Sequence, residues 1–199
     1  ATMDGTSAVY SGLVSGDTLT GTYSGVFADA NVGTGKTVTI TSSYSGTDVN
    51  NYTITDQDST TADISAKALT ATASAANKTY DGTTTATTTL TFSGLVGSET
   101  LGQTVGSTFN NKNVGTDKTV TVNSITLVDG TGLASNYSIS PGQTTTADVT
   151  AKALTVSGIT ASDKTYDANT TATLNTGSVT YTGKVDGDDF NGTYTGSFS

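Results

Sequence analysis

Two aromatic–carboxylate pairs are the residues best suited to chemistry, Tyr80-Asp81-Gly82 and Tyr166-Asp167-Ala168. A tyrosine ring beside a carboxylate can stack on a sugar or help hold a cation. The simpler reading is a turn, in which the aspartate caps its own loop through backbone N–H groups and the tyrosine packs inward or at a junction. Acid recurs downstream as Asp17, Glu99 and Asp188, and Asp186 and Asp189 add density around the last of these. Calcium takes about six to eight oxygens. Asp186, Asp188 and Asp189 would supply several, which makes them a candidate calcium site. A full D-x-D-x-D-G ligand loop is lacking, and that favours a plain turn.

Other chemistries are narrower still. The chain has no cysteine and no histidine, which removes disulfides, thiol nucleophiles, zinc clusters and the usual general base. Serines and aspartates lie mostly in turn contexts, and nothing places a base beside a nucleophile, so no catalysis and no cofactor are expected. Lys36 and Lys118 recur in register with Asn51 and Asn136, the residue types of a lysine-to-asparagine cross-link. A solvated lysine on a strand face is the commoner outcome.

Charge excludes further partners. Eight basic residues, all lysine, face 17 acidic ones for a net charge of -9. Such a surface repels phosphate backbones, and without arginine there is no bidentate grip on phosphate or guanine, so no nucleic acid is expected. Apolar runs are three residues or shorter, too short for a membrane-spanning helix, and no membrane insertion is expected.

The elements that position these residues are strands. Roughly a quarter of the chain is threonine, β-branched and at home on a pleated surface. Apolar and polar residues alternate with period two in Thr37-Val38-Thr39-Ile40-Thr41, Thr119-Val120-Thr121-Val122, Thr89-Leu90-Thr91-Phe92, Ser178-Val179-Thr180-Tyr181 and Asn51-Tyr52-Thr53-Ile54. Glycines punctuate them at turn spacing.

The chain also repeats itself. A shift of 85 brings Thr61-Ala62-Asp63-Ile64 with Ala66-Lys67-Ala68-Leu69 onto Thr146-Ala147-Asp148-Val149 with Ala151-Lys152-Ala153-Leu154. A shift of 86 brings Lys78-Thr79-Tyr80-Asp81 onto Lys164-Thr165-Tyr166-Asp167, and one of 82 brings Asn31-Val32-Gly33-Thr34 onto Asn113-Val114-Gly115-Thr116. Length variation between residues 41 and 50 accounts for the drift. The expected organisation is a first repeat over 1–65 lacking its initial strand, a complete central repeat over 66–150, and a third over 151–199 truncated in its C-terminal half. Met3-Asp4-Gly5-Thr6 reads as the first copy of the Tyr80-Asp81-Gly82-Thr83 element. The 199 residues thus read as a piece of a longer array.

Seven or so short strands per unit is the pattern of an immunoglobulin-like β-sandwich, an all-β fold, here in tandem copies. Tyr52 and Tyr137 each precede an isoleucine by two, and Asp48 lies four before Tyr52, which suggests a tyrosine corner. The threonine-rich stretch into Ala66-Lys67-Ala68-Leu69 has no proline, so successive copies should join through a continuous extended strand and form an elongated rod.

At the Lys-Thr-Tyr-Asp-Gly-Thr-Thr-Thr-Ala run of 78–86 the chain resembles the YDG and related mostly bacterial Ig-like repeats. Ser93-Gly94-Leu95-Val96, Asn113-Val114-Gly115-Thr116, Asn136-Tyr137 and Ala151-Lys152-Ala153-Leu154 carry the resemblance along the whole chain. It implies an extracellular repeat on the bacterial cell surface, in large adhesins of the filamentous-haemagglutinin kind, where tandem copies extend a stalk without catalysis. Ala168 departs from the motif glycine and implies a turn that does not need positive φ. The partners expected are neighbouring repeats of the same chain. Alternatives are direct binding of a glycan, a host protein or ice by arrays such as Thr83-Thr84-Thr85, and head-to-tail self-association by strand addition.

Overall fold

The computed structural model describes residues 8–199 and is all-β. Met3-Asp4-Gly5-Thr6 lies outside the described residues. The chain forms two compact units, one of Ala1–Leu69, Gly94–Gly102 and Val128–Ile139, the other of Thr70–Ser93, Gln103–Leu127 and Ser140–Ser199. Parts of the central stretch of sequence therefore pack with the first copy.

In the first unit β1 (Thr20–Phe27), β2 (Gly33–Ser45) and β3 (Ser59–Ile64) form an antiparallel sheet in that order. Thr20 pairs with Ser45 and Phe27 with Val38, a long hairpin whose alternation turns Val38 inward and its threonine neighbours to solvent. The short β4 (Lys67–Ala68) runs parallel to a strand near Tyr137.

Several further strands follow in sequence: β5 (Thr70–Ala75), β6 (Lys78–Thr79), β7 (Thr85–Ala86), β8 (Thr88–Ser93), β9 (Leu101–Phe109), β10 (Gly115–Asp129), β11 (Tyr137–Ser138) and β12 (Thr144–Thr150). In the second unit a five-stranded sheet has the order β6-β12-β10-β9-β7. Its inward residues Ala86, Phe109, Val120, Ala147 and Val149 form the core, and Ala75 and Tyr80 pack onto it. A separate antiparallel ladder pairs β5 with β8, and Ala75 of β5 closes over the core from that side, giving two layers. Val120 and Val122 are essentially inaccessible to solvent, and each such valine contributes about 2 kcal/mol.

The remaining strands are short: β13 (Thr155–Ser157), β14 (Thr160–Ala161), β15 (Thr171–Ala172), β16 (Leu174–Asn175), β17 (Thr180–Thr182) and β18 (Gly196–Ser197). They pair as three two-stranded ladders, β13 with β17, β14 with β16 and β15 with β18.

Two local expectations change. The stretch between copies is broken, because β3 ends at Ile64, β4 covers only Lys67–Ala68 and β5 starts at Thr70. Each piece has a different partner, β2, β11 and β8 in turn, and a strand that changes partners must interrupt its ladder. Ala168 adopts φ 61, so the loop holds the motif's left-handed conformation even where glycine is replaced.

Candidate functional site

The Tyr-Asp-Gly loop is built around a lysine. Lys78 lies in β6, and its Nζ donates to Thr83 O at 2.9 Å, Thr85 O at 3.0 Å and Asp81 Oδ1 at 2.8 Å. Asp81 Oδ1 also accepts the Thr83 amide at 2.9 Å, the aspartate cap expected from sequence. The ammonium, helped by that amide, holds the Asp81 carboxyl down at about 2. The third copy repeats the loop: Lys164 Nζ contacts Asp167 Oδ1 at 2.6 Å and donates to Asn169 O at 2.9 Å and Thr171 O at 3.3 Å. Asp167 is likewise held below the usual carboxylate range, chiefly by Lys164.

A second recurring unit is a tyrosine latched onto a glycine-bounded loop. Tyr52 OH donates to Asp17 Oδ2 at 2.5 Å and accepts the Val14 amide at 3.0 Å. In the next copy Tyr137 OH donates to Glu99 Oε2 and accepts the Val96 amide at 3.0 Å. The carboxylate partner raises the pKa of each phenol. Tyr52 does not bond Asp48; that aspartate accepts the Thr18 amide instead. The partners Asp17 and Glu99 were visible in the sequence as recurring acids, but their pairing with a tyrosine 35 or 38 residues away carried no local signal.

These two units meet where one copy follows another. The loop of Gly183 to Asp188 closes its turn with Asp188 N donating to Val185 O, as Asp17 N does to Val14 O and Glu99 N to Val96 O. Its Asp188 Oδ1 accepts Tyr80 OH at 2.7 Å, and Lys112 Nζ stands 3.6 Å away and over the Tyr80 ring. Tyr80 is raised by Asp188, and Lys112 is raised by Tyr80 and Asp188. A Cβ on Gly82 would sit 2.7 Å from Val185 Cγ1, so glycine lets the valine rest on the loop backbone. Between the first and central copies, Asn136 Oδ1 accepts the Val32 amide at 2.9 Å and Asn136 Nδ2 donates to Asn31 Oδ1 at 3.0 Å.

Asn136 therefore bridges copies and does not face Lys118. Lys118 donates to Asn111 Oδ1, and Lys36 donates to Asp29 Oδ1 and to Asn31 O at 2.7 Å, so each lysine ties down its own hairpin. The acidic stretch of Asp186, Asp188 and Asp189 turns Asp188 towards Tyr80 and Lys112, and no group of three or more acidic side chains able to hold a metal occurs among the described residues. Tyr166 projects into solvent, 91% exposed, although its loop matches that of Tyr80.

Two phenol pairs complete the set. Tyr10 OH and Tyr23 OH share a hydrogen bond of 2.7 Å, and Tyr181 OH and Tyr194 OH one of 2.5 Å. The hydrogen bond with Tyr10 pushes Tyr23 up to about 12.

The family model for the YDG domain matches residues 1–62, 65–147 and 150–199. The chain belongs to the YDG domain family. No curated protein and no solved structure matches it. The Lys-anchored loop is the local form that the YDG motif takes here, and in the central copy its tyrosine, Tyr80, reaches the following copy.

Proposed function

We propose that these YDG repeats are a non-catalytic spacer, the stalk segment of a large secreted bacterial surface adhesin that carries a distal binding domain away from the cell. The observation that carries this reading is the Tyr80–Asp188 contact. A signature residue of one copy is used to grip the next, which is what a load-bearing series of units requires. The Asn136 bridge to Asn31 and Val32 supports it at the preceding junction. Each sandwich would resist extension by shearing its backbone ladders, and each copy would add a fixed increment of length.

Small-angle X-ray scattering on the 199-residue chain, with calcium and with chelator, tests the reading. An extended monomer of unchanged length in both conditions is expected. A compact particle, or a length that collapses with chelator, overturns the passive spacer.

A further inference from the structure

The hydroxyl side chains of the central copy divide into those that its turns use and those that its strands hold out to water. Thr83 belongs to the first kind, since its amide and its hydroxyl both bond Asp81. The second kind is gathered on the outward face of the β5–β8 ladder. There Thr70, Thr72 and Ser74 stand opposite Ser93, Thr91 and Thr89, one pair to a row. All six are exposed, while the alanines of β5 and Leu90 and Phe92 of β8 turn inward. None of the six is charged, and none makes a side-chain hydrogen bond among the described residues. The third copy repeats two of the rows, with Thr155 opposite Thr182 and Ser157 opposite Thr180.

We propose that this face of the β5–β8 ladder binds ice. The pleat spaces its rows about 6.8 Å apart along the strands, and the ladder spaces the two side chains of a row about 4.8 Å apart. These two repeats lie close to those of the oxygen rows on a prism face of hexagonal ice. Threonine is stiff at χ1, so the methyl and hydroxyl groups of Thr70, Thr72, Thr89 and Thr91 are held in position before any crystal arrives. The water they order is therefore arranged by the grid. A charged neighbour would gather water into a shell of its own and break that order, and the six positions hold none. They also hold no aromatic ring to stack on a sugar, which sets this face apart from a glycan site. The opposite sheet is less suited. Its outward threonines, Thr119 opposite Thr146 and Thr121 opposite Thr144, run into Asp117 and Asp148 at the bulge, where charge and a register shift end the array. The proposal needs only the central copy, so it stands or falls independently of the spacer reading.

The test is thermal hysteresis and inhibition of ice recrystallisation by the intact chain at millimolar concentration. Three proteins are compared: the natural chain, the double variant Thr72→Lys with Thr91→Lys, and Thr146→Lys on the opposite sheet. All three positions are exposed surface sites, where substitution costs little stability, and urea midpoints verify that each variant is folded. The natural chain is expected to hold ice crystals at constant size below their melting point. The double variant should lose this activity at least several-fold, and Thr146→Lys should keep it. A natural chain with neither hysteresis nor recrystallisation inhibition overturns the proposal. So does a folded double variant as active as the natural chain, or a Thr146→Lys variant that loses as much as the double variant. An extended particle in scattering together with a blank ice assay removes the ice-binding face and leaves the spacer standing.

Discussion

The Asp117 amide donates to Asp148 Oδ1 at 2.9 Å across 31 residues, at the bulge where β10 changes register against β12. Asp63 does the same for Gly35 at 2.7 Å, at the matching bulge of β2 against β3. The aspartate of the Thr-Ala-Asp segment is thus a cap for a kink. The bulge residue has positive φ in both copies, 60 at Gly35 and 50 at Asp117. Asp148→Ala removes the Asp117 bond and the longer one that Asp148 Oδ2 accepts from Asn77 Nδ2 at 3.4 Å, and should cost about 1 to 2 kcal/mol. Gly35→Ala should cost about 1 kcal/mol through left-handed strain, and Asp117→Gly should lose nothing by comparison. Urea unfolding of the three variants reads these differences.

The lysine of the Tyr-Asp-Gly loop makes a pH-dependent contribution whose sign follows from Asp81. That carboxyl is held at about 2 in the folded chain, below an unfolded value of about 3.9. Its stabilisation is present above the unfolded value and is lost as pH falls through the folded one. Lys78→Met removes the first cause of the shift, and the Asp81 carboxyl resonance should then titrate closer to the ordinary range. An unchanged titration would mean that the Thr83 amide alone sets it.

Phenol pairing makes the opposite prediction at high pH. Tyr23 is raised to about 12 by Tyr10, so its contribution is full below the unfolded value of about 10 and fades as pH climbs through 12. Tyr10→Phe should bring Tyr23 ionisation down, seen as an earlier rise in phenolate absorbance.

At the internal joint, Gly82→Ala drives a methyl group into Val185, and Tyr80→Phe takes the donor from Asp188. Each should cost about 1 kcal/mol of local stability. Hydrogen exchange of the amides from Val185 to Asp188 should quicken, while those of Val120 and Val122 in the core stay protected.

Much of this architecture is legible in the sequence. The alternation around Val38 and Val120 marks the buried faces, because period two is imposed by the pleat. The Asp81 cap follows from Asp-Gly chemistry. What is not legible depends on which residues meet in space. Tyr52 finds Asp17 and Tyr137 finds Glu99 at separations of 35 and 38 residues, and Lys118 donates to Asn111 across its own hairpin. The left-handed φ of Ala168 is invisible locally, since alanine does not ask for it; the lysine bonds on either side impose it.

The phenol pairs have a consequence for misfolding. At the shift of 82, Tyr10 corresponds to Phe92 and Tyr23 to Val105, while the third copy restores the pair as Tyr181 and Tyr194. Adjacent copies therefore differ at the spot where a segment outside the sheet meets a strand, as Tyr10 meets Tyr23 of β1. A segment swapped between neighbours would leave a phenol hydroxyl facing valine or phenylalanine without its partner. Tandem arrays are prone to such swaps, and alternating two interior chemistries along the chain penalises the nearest and most frequent wrong pairing.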